Sequence, residues 1–198
     1  GWIPIPLPTF EFDGVSAYAM PPAVRRLDAV QDLEDIRARY QAHGLIYECA
    51  VLRERGYWTD GPAQVRGTFP TWGAVCEGQL AAYVTVESVD EEVWVKEACG
   101  RAEGYRSLAE AALAEVGDRR LAGSLPRDHD FVRTLEALTG TTAAWDTHDE
   151  MMVKGVNWPA LQDKVGAEFA ADGPPANEAA FWRGLLGDKP FYSWADIF

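Results

Sequence analysis

Strict alternation of apolar and polar positions is the clearest pattern along the chain. Residues 80–87 place an apolar side chain at every second position, and residues 93–98 repeat this pattern after an acidic turn at 88–91. A period of two is typical of a strand with one buried face. Together with the apolar run at 72–76, these segments predict three consecutive strands that form an antiparallel meander.

Helical periodicity appears on both sides of the meander. The predicted helices are residues 28–42, 45–55, 107–116 and 128–139. Each is followed within two residues by a glycine, which readily adopts the left-handed conformation at a helix end, and Asp128 is the expected N-cap of the last one. Short strands are predicted at 24–27, 121–125, 141–147 and 150–156, and loops at 59–70 and 100–104.

The two ends of the chain differ from this central part. Prolines at positions 4, 6 and 8 predict an edge strand or an extended arm over residues 1–9, because proline cannot donate a hydrogen bond in the middle of a sheet. Residues 10–12 predict a strand that turns at Asp13-Gly14 and continues through Tyr18, and we expect the first twenty residues to join a sheet, either this one or a partner's. At the other end, two predicted helices precede an aromatic segment at 191–198 that we expect to dock on the protein.

Composition narrows the class of protein. The chain has 198 residues, a net charge of −13, 47% hydrophobic residues and eight tryptophans, which is enough apolar surface for a core. The negative charge argues against nucleic acid, whose phosphates bind Lys and Arg. It fits a small cationic substrate, or simply solubility. No apolar run approaches the roughly 18 residues of a membrane span, so no membrane partner is expected.

The cysteines and histidines predict neither disulfides nor a metal site. Cys49, Cys76 and Cys99 are widely spaced, without a Cys-x-x-Cys pair, which indicates reduced thiols and a cytoplasmic protein. The three histidines make no metal-ligand spacing with these cysteines, so we expect no metal.

Residues 101–106 read Arg-Ala-Glu-Gly-Tyr-Arg and join a predicted strand to a predicted helix. Backbone N–H groups of a glycine-containing turn ahead of a helix can bind phosphate oxygens. With the order of elements from residue 24 onwards, this motif resembles the GNAT acyltransferase superfamily, whose pattern is Arg or Gln, two residues, Gly, one residue, then Gly or Ala. Arg101 and Gly104 match the pattern, whereas Arg106 departs from it. A purely structural turn between strand and helix is the alternative interpretation.

The resemblance implies a mixed α/β fold, in which a GNAT-like, mostly antiparallel sheet is flanked by helices and followed by a C-terminal helical and aromatic tail. It also implies a division into residues 1–22, the closing strands of an upstream GNAT-like module, residues 23–157, a GNAT-like domain, and residues 158–198, the tail. Gly1-Trp2 corresponds to the glycine and aromatic residue that open such a closing segment. We therefore expect the C-terminal part of a tandem protein similar to the Eis-type acetyltransferases and mycothiol synthase.

For function, the resemblance implies an N-acyltransferase that moves an acyl group from acetyl-CoA to a small cationic amine without a metal. The residues that it implies for binding acetyl-CoA are Lys96, Ala98, Arg101, Gly104 and Arg106. Glu97 lies on the strand beside the motif and is the expected general base. The alternative for Glu97 is a strand-edge carboxylate that pairs with Lys96 or an arginine.

A second candidate base is the terminal carboxylate of Phe198, because the chains of Eis-type proteins end in a Phe that serves this purpose. Its alternative is an aromatic anchor that holds the tail. Glu136 stands where the superfamily often has the Tyr that protonates the departing thiolate. The alternative function is therefore a non-catalytic GNAT-like module for scaffolding, dimerisation or ligand binding, with an upstream GNAT half or a second copy of the chain as partner.

Overall fold

A computed structural model of the chain describes residues 3–13, 18–43 and 69–153. Within these ranges the chain forms one sheet of seven strands together with three helices. The strands are β1 (Ile3–Phe12), β2 (Val24–Arg26), β3 (Thr71–Cys76), β4 (Gln79–Val89), β5 (Glu92–Gly100), β6 (Arg120–Gly123) and β7 (Ala144–Val153). The helices are α1 (Leu33–His43), α2 (Ala102–Val116) and α3 (Asp130–Thr139).

Neighbouring strands follow the order β2-β3-β4-β5-β6-β1-β7 across the sheet. Every adjacent pair is antiparallel except β5 and β6, which run parallel. A parallel pair needs a crossover connection, and α2 supplies it between β5 and β6. The expected mixed α/β fold, with a mostly antiparallel sheet and flanking helices, is confirmed.

The predicted meander is confirmed as β3, β4 and β5. Its two connections are tight turns, in which Glu77, Gly78 and Asp90 adopt positive φ angles of 52°, 78° and 46°. In the middle of β4, residues 81–86 are all buried. Because successive side chains of a strand point to opposite faces, both faces of β4 are covered. Ala81, Tyr83 and Thr85, which alternate with the valines, therefore lie on a second buried face and not in solvent.

The first strand lies inside the sheet, between β6 and β7, and is antiparallel to both. The expectation that the start of the chain joins a sheet is confirmed for residues 3–12. Only residues 10–12 pair with β6, so residues 3–9 have a neighbouring strand of the described sheet on one side alone, as predicted for an edge strand. Phe10 is fully buried, and a Cβ built on Gly123 would lie 2.7 Å from its ring. The absence of a side chain at Gly123 thus makes room for Phe10, whose burial stabilises the fold by roughly 2–3 kcal/mol.

An interior strand can carry prolines here because its two edges are paired over different lengths. Pairing with β6 is confined to residues 10–12, whereas pairing with β7 extends from Ile3 to Glu11. The carbonyl of Pro8 accepts a hydrogen bond from the Ser124 hydroxyl at 3.0 Å, so this residue's polar groups face the β6 side. The missing N–H of Pro8 therefore falls on an edge that has no ladder at this point.

Two helices begin later than predicted because side chains hold the preceding backbone in turns. The Asp28 carboxylate accepts hydrogen bonds from the N–H groups of Val30 and Gln31 at 2.9 and 2.8 Å, so residues 29–32 form a turn and α1 begins only at Leu33. The N-cap of α3 is His129, whose ring accepts a hydrogen bond from the Phe131 N–H at 3.1 Å. Asp128 is therefore not the cap that its residue type predicts.

Three further boundaries differ from the predictions. The predicted loop at 100–104 is absent, because β5 extends to Gly100 and α2 begins at Ala102. The strand predicted at 121–125 ends at Gly123. One strand, β7, replaces the two predicted at 141–147 and 150–156. The helix predicted at 45–55 and the tail at 158–198 lie outside the described residues, and the division of the chain at residue 22 stays a prediction.

Candidate functional site

The sheet opens between β5 and β6. These parallel strands are paired from Glu92 with Arg120 to Val95 with Gly123, where β6 ends. β5 continues to Gly100 and stays paired with β4 on its other side. The edge of β5 from residue 96 to 100 therefore faces a gap in the sheet instead of a neighbouring strand.

A β-bulge marks the point at which the two strands separate. Thr85 on β4 is paired with Glu97, and the next residue, Val86, is paired with Val95. Lys96 is thus the extra residue of β5 between these two pairs. A bulge bends its strand and increases the local twist, and bulges are frequent beside active sites. The alternation of apolar and polar residues did not predict this bulge, because a polar side chain at Lys96 fits the alternating pattern of a regular strand.

A groove of about 660 Å³ runs between α2 and α3. The hydroxyl of Tyr18 donates a hydrogen bond to the carbonyl of Leu138 at 2.9 Å, which attaches the segment after β1 to the end of α3 beside the groove. The residues that line the groove are Tyr18, Ala102, Arg106, Glu110, Asp130, Arg133, Thr134, Ala137 and Leu138. Two arginines and two carboxylates lie among alanine and leucine side chains in this lining, so the groove offers charged groups beside apolar surface.

Each arginine of the groove has a carboxylate beside it. Arg106 pairs with Glu110 at 3.3 Å on α2, and Arg133 pairs with Asp130 at 3.5 Å on α3. The arginine side chains are 75% and 62% exposed. Ion pairs this exposed add little stability, so either guanidinium can leave its carboxylate for a stronger anion.

Arg101, Gly104 and Arg106 lie at the start of α2, where the sequence predicted an open phosphate-binding loop. Arg101 is the N-cap of α2, and its guanidinium pairs with Glu103 at 2.8 Å. The N–H of Gly104 donates to the carbonyl of Arg101 at 3.0 Å, inside the first turn of the helix. That N–H is therefore already used.

The glycines of this segment serve close packing. A Cβ built on Gly104 would lie 2.8 Å from the Cβ of Ala82, and one on Gly100 would lie 2.3 Å from the Cα of Ala82. Gly100 also has a φ of +142°, a conformation that other residues rarely adopt. The two glycines thus allow α2 to follow β5 directly and to lie against β4.

Lys96 is turned toward β4 instead of the groove. Its ammonium forms an ion pair with Glu87 at 2.5 Å and lies 5.8 Å from the centre of the Trp94 ring. Lys96 is mostly buried, with 13% of its side chain exposed. The side chains of Lys96 and Arg106, which the sequence assigned to one cofactor site, are therefore directed to different surroundings.

Glu97 is a buried carboxylate in a polar row across the sheet. It is 1% exposed and lies opposite Thr85 on β4. The hydroxyl of Thr85 is 3.0 Å from that of Thr71 on β3. Lys96 forms an ion pair with Glu87, and the choice between a general base and a carboxylate that pairs with a cation stays open for Glu97. The other candidate base, the Phe198 carboxylate, lies outside the described residues.

His129 is the functional candidate that the sequence did not indicate. It is fully buried, and its Nε2 lies 3.1 Å from the carbonyl oxygen of Ala98, on the β5 edge that faces the gap. Since its Nδ1 accepts the Phe131 N–H, the proton is on Nε2, which donates to Ala98. Burial lowers the pKa of His129 from 6.5 to about 4, so the ring is neutral at pH 7. Residue preferences at helix starts pointed to Asp128 instead.

Other chemistry is limited within the described ranges. Residues 3–13, 18–43 and 69–153 contain no group of three or more His, Cys, Asp or Glu side chains that could hold a metal ion. No helix in this part of the chain is long and apolar enough to cross a membrane.

Comparison with known proteins identifies the type of fold. No protein-family model and no curated protein sequence matches the chain. Among solved structures, it is similar to a conserved protein of unknown function from Enterococcus faecalis V583, described as a "Probable N-Acyltransferase", with a TM-score of 0.50 and 14% identity over 76% of this chain and 40% of the other. The chain has a GNAT-type fold.

A second solved structure is the GCN5-related N-acetyltransferase from Kribbella flavida. Its TM-score is 0.47, and it is 17% identical over 75% of this chain and 37% of its own. A third, the GCN5-related N-acetyltransferase from Anabaena variabilis ATCC 29413, has a TM-score of 0.46 and 9% identity over 74% of this chain and 40% of its own. This chain therefore spans 37% to 40% of the length of these solved proteins, and at 14% identity the likeness to the Enterococcus faecalis protein shows the fold alone.

Proposed function

We propose that this chain is part of an acyl-CoA-dependent N-acyltransferase and that the groove between α2 and α3 receives the acyl-CoA. The observation that carries the proposal is the opening of the sheet. β5 bulges at Lys96 and separates from β6 after Val95, and the groove lies between the two helices that follow these strands. The two helices that enclose the groove are thus those that follow the two separating strands.

The groove fits the phosphate groups of acyl-CoA through side chains. Arg106 and Arg133 line it from opposite helices, and Arg101 stands at the start of α2. Guanidinium groups bind phosphate oxygens in a bidentate manner and hold such pairs more tightly than exposed carboxylate pairs. The Gly104 N–H is not available to bind phosphate, since it already donates a hydrogen bond to the carbonyl of Arg101. Arg106 and Arg133, and not a loop, would hold the phosphates, whereas Arg101 does not line the groove.

Acyl-CoA supplies a thioester, whose carbonyl carbon the acceptor amine attacks. A carbon–nitrogen bond forms, the carbon–sulfur bond breaks, the amine loses a proton to a base, and the departing thiolate takes up a proton. Glu97 is the buried carboxylate on β5 that suits the base, and the Phe198 carboxylate is the other candidate. The acceptor class is a small cationic amine, which the net charge of −13 attracts.

A second candidate function is a non-catalytic GNAT-type module that supports a catalytic half or a second copy. Two observations favour it: the first turn of α2 uses the Gly104 N–H internally, and His129 occupies the carbonyl of Ala98. In that case the groove would keep its arginine–carboxylate pairs and would bind no acyl-CoA.

Binding of acetyl-CoA separates the two candidates. For an acyltransferase, millimolar acetyl-CoA should raise the melting temperature, because a ligand of the folded state stabilises it by mass action. The double variant R106A/R133A should lose this shift. The matched control is R26A, which removes an exposed arginine of β2 far along the sheet from the groove. An absent shift in the wild type, or an equal shift in all three proteins, contradicts the proposal.

A further inference from the structure

The groove between α2 and α3 changes in character along α3. At the start of the helix its lining residues are charged, namely Asp130 and Arg133. Near the end of the helix they are Ala137 and Leu138, and Tyr18 is attached there by the hydrogen bond from its hydroxyl to Leu138. The groove therefore presents charged groups beside the start of α3 and an apolar surface with one aromatic ring beside its end.

Tyr18 reaches this surface from a distant part of the chain. Every other described residue that lines the groove belongs to α2 or α3. Tyr18 lies within residues 1–22, which the sequence assigned to the closing strands of an upstream module. The start of the chain thus contributes a side chain to a groove that two later helices form.

The hydroxyl of Tyr18 holds its ring in place. The carbonyl of Leu138 is one of the last four of α3, which have no partner inside the helix, and it accepts the hydroxyl at 2.9 Å. The ring is packed in part against the core, and the rest of it lines the groove. A ring that is already held in one position loses little conformational entropy when a ligand binds to it.

A nucleotide base is the part of acyl-CoA that suits this ring. Bases stack on aromatic side chains through their flat faces. An α-helix rises about 1.5 Å per residue, so Arg133 and Leu138 are separated by roughly 7–8 Å along α3. This is comparable with the separation between the base and a phosphate of one nucleotide. A base on Tyr18 therefore leaves a phosphate of the same nucleotide within reach of Arg133.

We propose that Tyr18 is a specificity-determining residue of the groove, whose ring binds the adenine base of acyl-CoA while Arg133 binds a phosphate of the same nucleotide. The choice of ligand rests on the proposed function. Because the base is recognised by its flat face, donor affinity depends on an aromatic ring at position 18 and not on its hydroxyl. The purely structural alternative is that Tyr18 only anchors the segment after β1 to α3.

Two variants separate the ring from the hydroxyl. Y18F and Y18L both lose the hydrogen bond to Leu138, but only Y18F keeps an aromatic ring. In titration calorimetry, Y18L should bind 3′,5′-ADP, the nucleotide end of CoA, about five- to tenfold more weakly than Y18F. This factor is at the lower end for base–aromatic stacking, because leucine keeps some apolar contact. The same factor is expected for acetyl-CoA. S-acetyl-4′-phosphopantetheine has no base and should bind equally to both variants.

The outcomes separate this inference from the proposed function. Equal affinities of Y18F and Y18L for 3′,5′-ADP and acetyl-CoA would leave Tyr18 as an anchor and overturn the inference. A difference with S-acetyl-4′-phosphopantetheine but not with 3′,5′-ADP would assign the arm to Tyr18 and also overturn it. If 3′,5′-ADP binds with the expected difference but acetyl-CoA does not bind, the base contact stands and the acyltransferase does not. Failure of the wild type to bind either ligand overturns both.

A measurement on the wild type decides the question if the variants do not fold. In a protein with ¹³C-labelled tyrosine, nuclear Overhauser effects should connect the ring protons of Tyr18 with H2 or H8 of bound 3′,5′-ADP. Bound 3′,5′-ADP whose base protons contact other residues but not Tyr18 would overturn the inference.

Discussion

Replacement of His129 by asparagine should remove much of the acid sensitivity of this protein between pH 7 and pH 5. His129 is buried and neutral, with a pKa of about 4 in the folded protein against 6.5 for an ordinary histidine. Burial is the main cause, and the hydrogen bond to Ala98 and the nearby charge of Asp128 oppose it only in part. The unfolded chain therefore binds a proton in this range that the folded chain does not.

The sign and size follow from proton linkage. A lowered histidine pKa gives stability that is fully present above pH 6.5 and is lost as the pH falls toward 4. With these two pKa values, the loss from His129 between pH 7 and pH 5 is about 2 kcal/mol. This is a substantial fraction of the 5–15 kcal/mol typical of small proteins.

Urea denaturation followed by tryptophan fluorescence at pH 7, 6 and 5 measures this loss. The wild type should lose about 2 kcal/mol more unfolding free energy than H129N over this interval. The pKa of His43 is also lowered, first by burial, and this contribution is common to both proteins and cancels in the difference. Parallel curves of unfolding free energy against pH for the two proteins would refute the neutral, buried state of His129.

Two further predictions concern the glycine and the aromatic residue that shape the sheet. In an exposed helix, replacement of glycine by alanine stabilises the protein by up to about 1 kcal/mol. At Gly104 the added Cβ would lie 2.8 Å from the Cβ of Ala82, so G104A should instead destabilise the protein by about 1–3 kcal/mol. A stabilising effect in urea denaturation would contradict the close packing of α2 on β4. F10A removes a fully buried ring between β6 and β7 and should cost about 3–5 kcal/mol. The same measurement on F12A gives the matched comparison, and a cost below 1 kcal/mol for both would contradict an interior β1.

The sequence predicted the parts of the fold in which one local pattern suffices. Alternation with a period of two defined β4 and β5, an apolar run defined β3, and the glycine after each helical run marked the ends of α2 and α3. The prolines indicated an edge position, and residues 3–9 have a neighbouring strand of the described sheet on one side only, but the insertion of residues 10–12 between β6 and β7 was not predictable from them. That depends on the length of β6, which lies far along the chain.

The candidate site was predictable only in outline. The segment from Arg101 to Arg106 was expected as a loop between a strand and a helix, whereas it caps and begins the helix itself. Its glycine is explained by the closeness of Ala82, a contact that no local pattern contains. His129 was missed because its importance depends on a carbonyl of β5. Glu97 was predicted as a base because it lies close to the 101–106 segment in the sequence. Its burial was not predicted, because it depends on what packs against both faces of the meander.

The interior position of β1 also constrains how the chain folds during synthesis. Pro8 and Ser124, joined by a hydrogen bond, are 116 residues apart, and both partners of β1 lie beyond residue 119. β1 leaves the ribosome before both of its partners and must therefore wait for them until most of the described sheet has been made. Pairings of this length fold slowly and expose strands to the wrong partner. Exchange of β1 between nascent copies is thus the misfolding route that this topology favours.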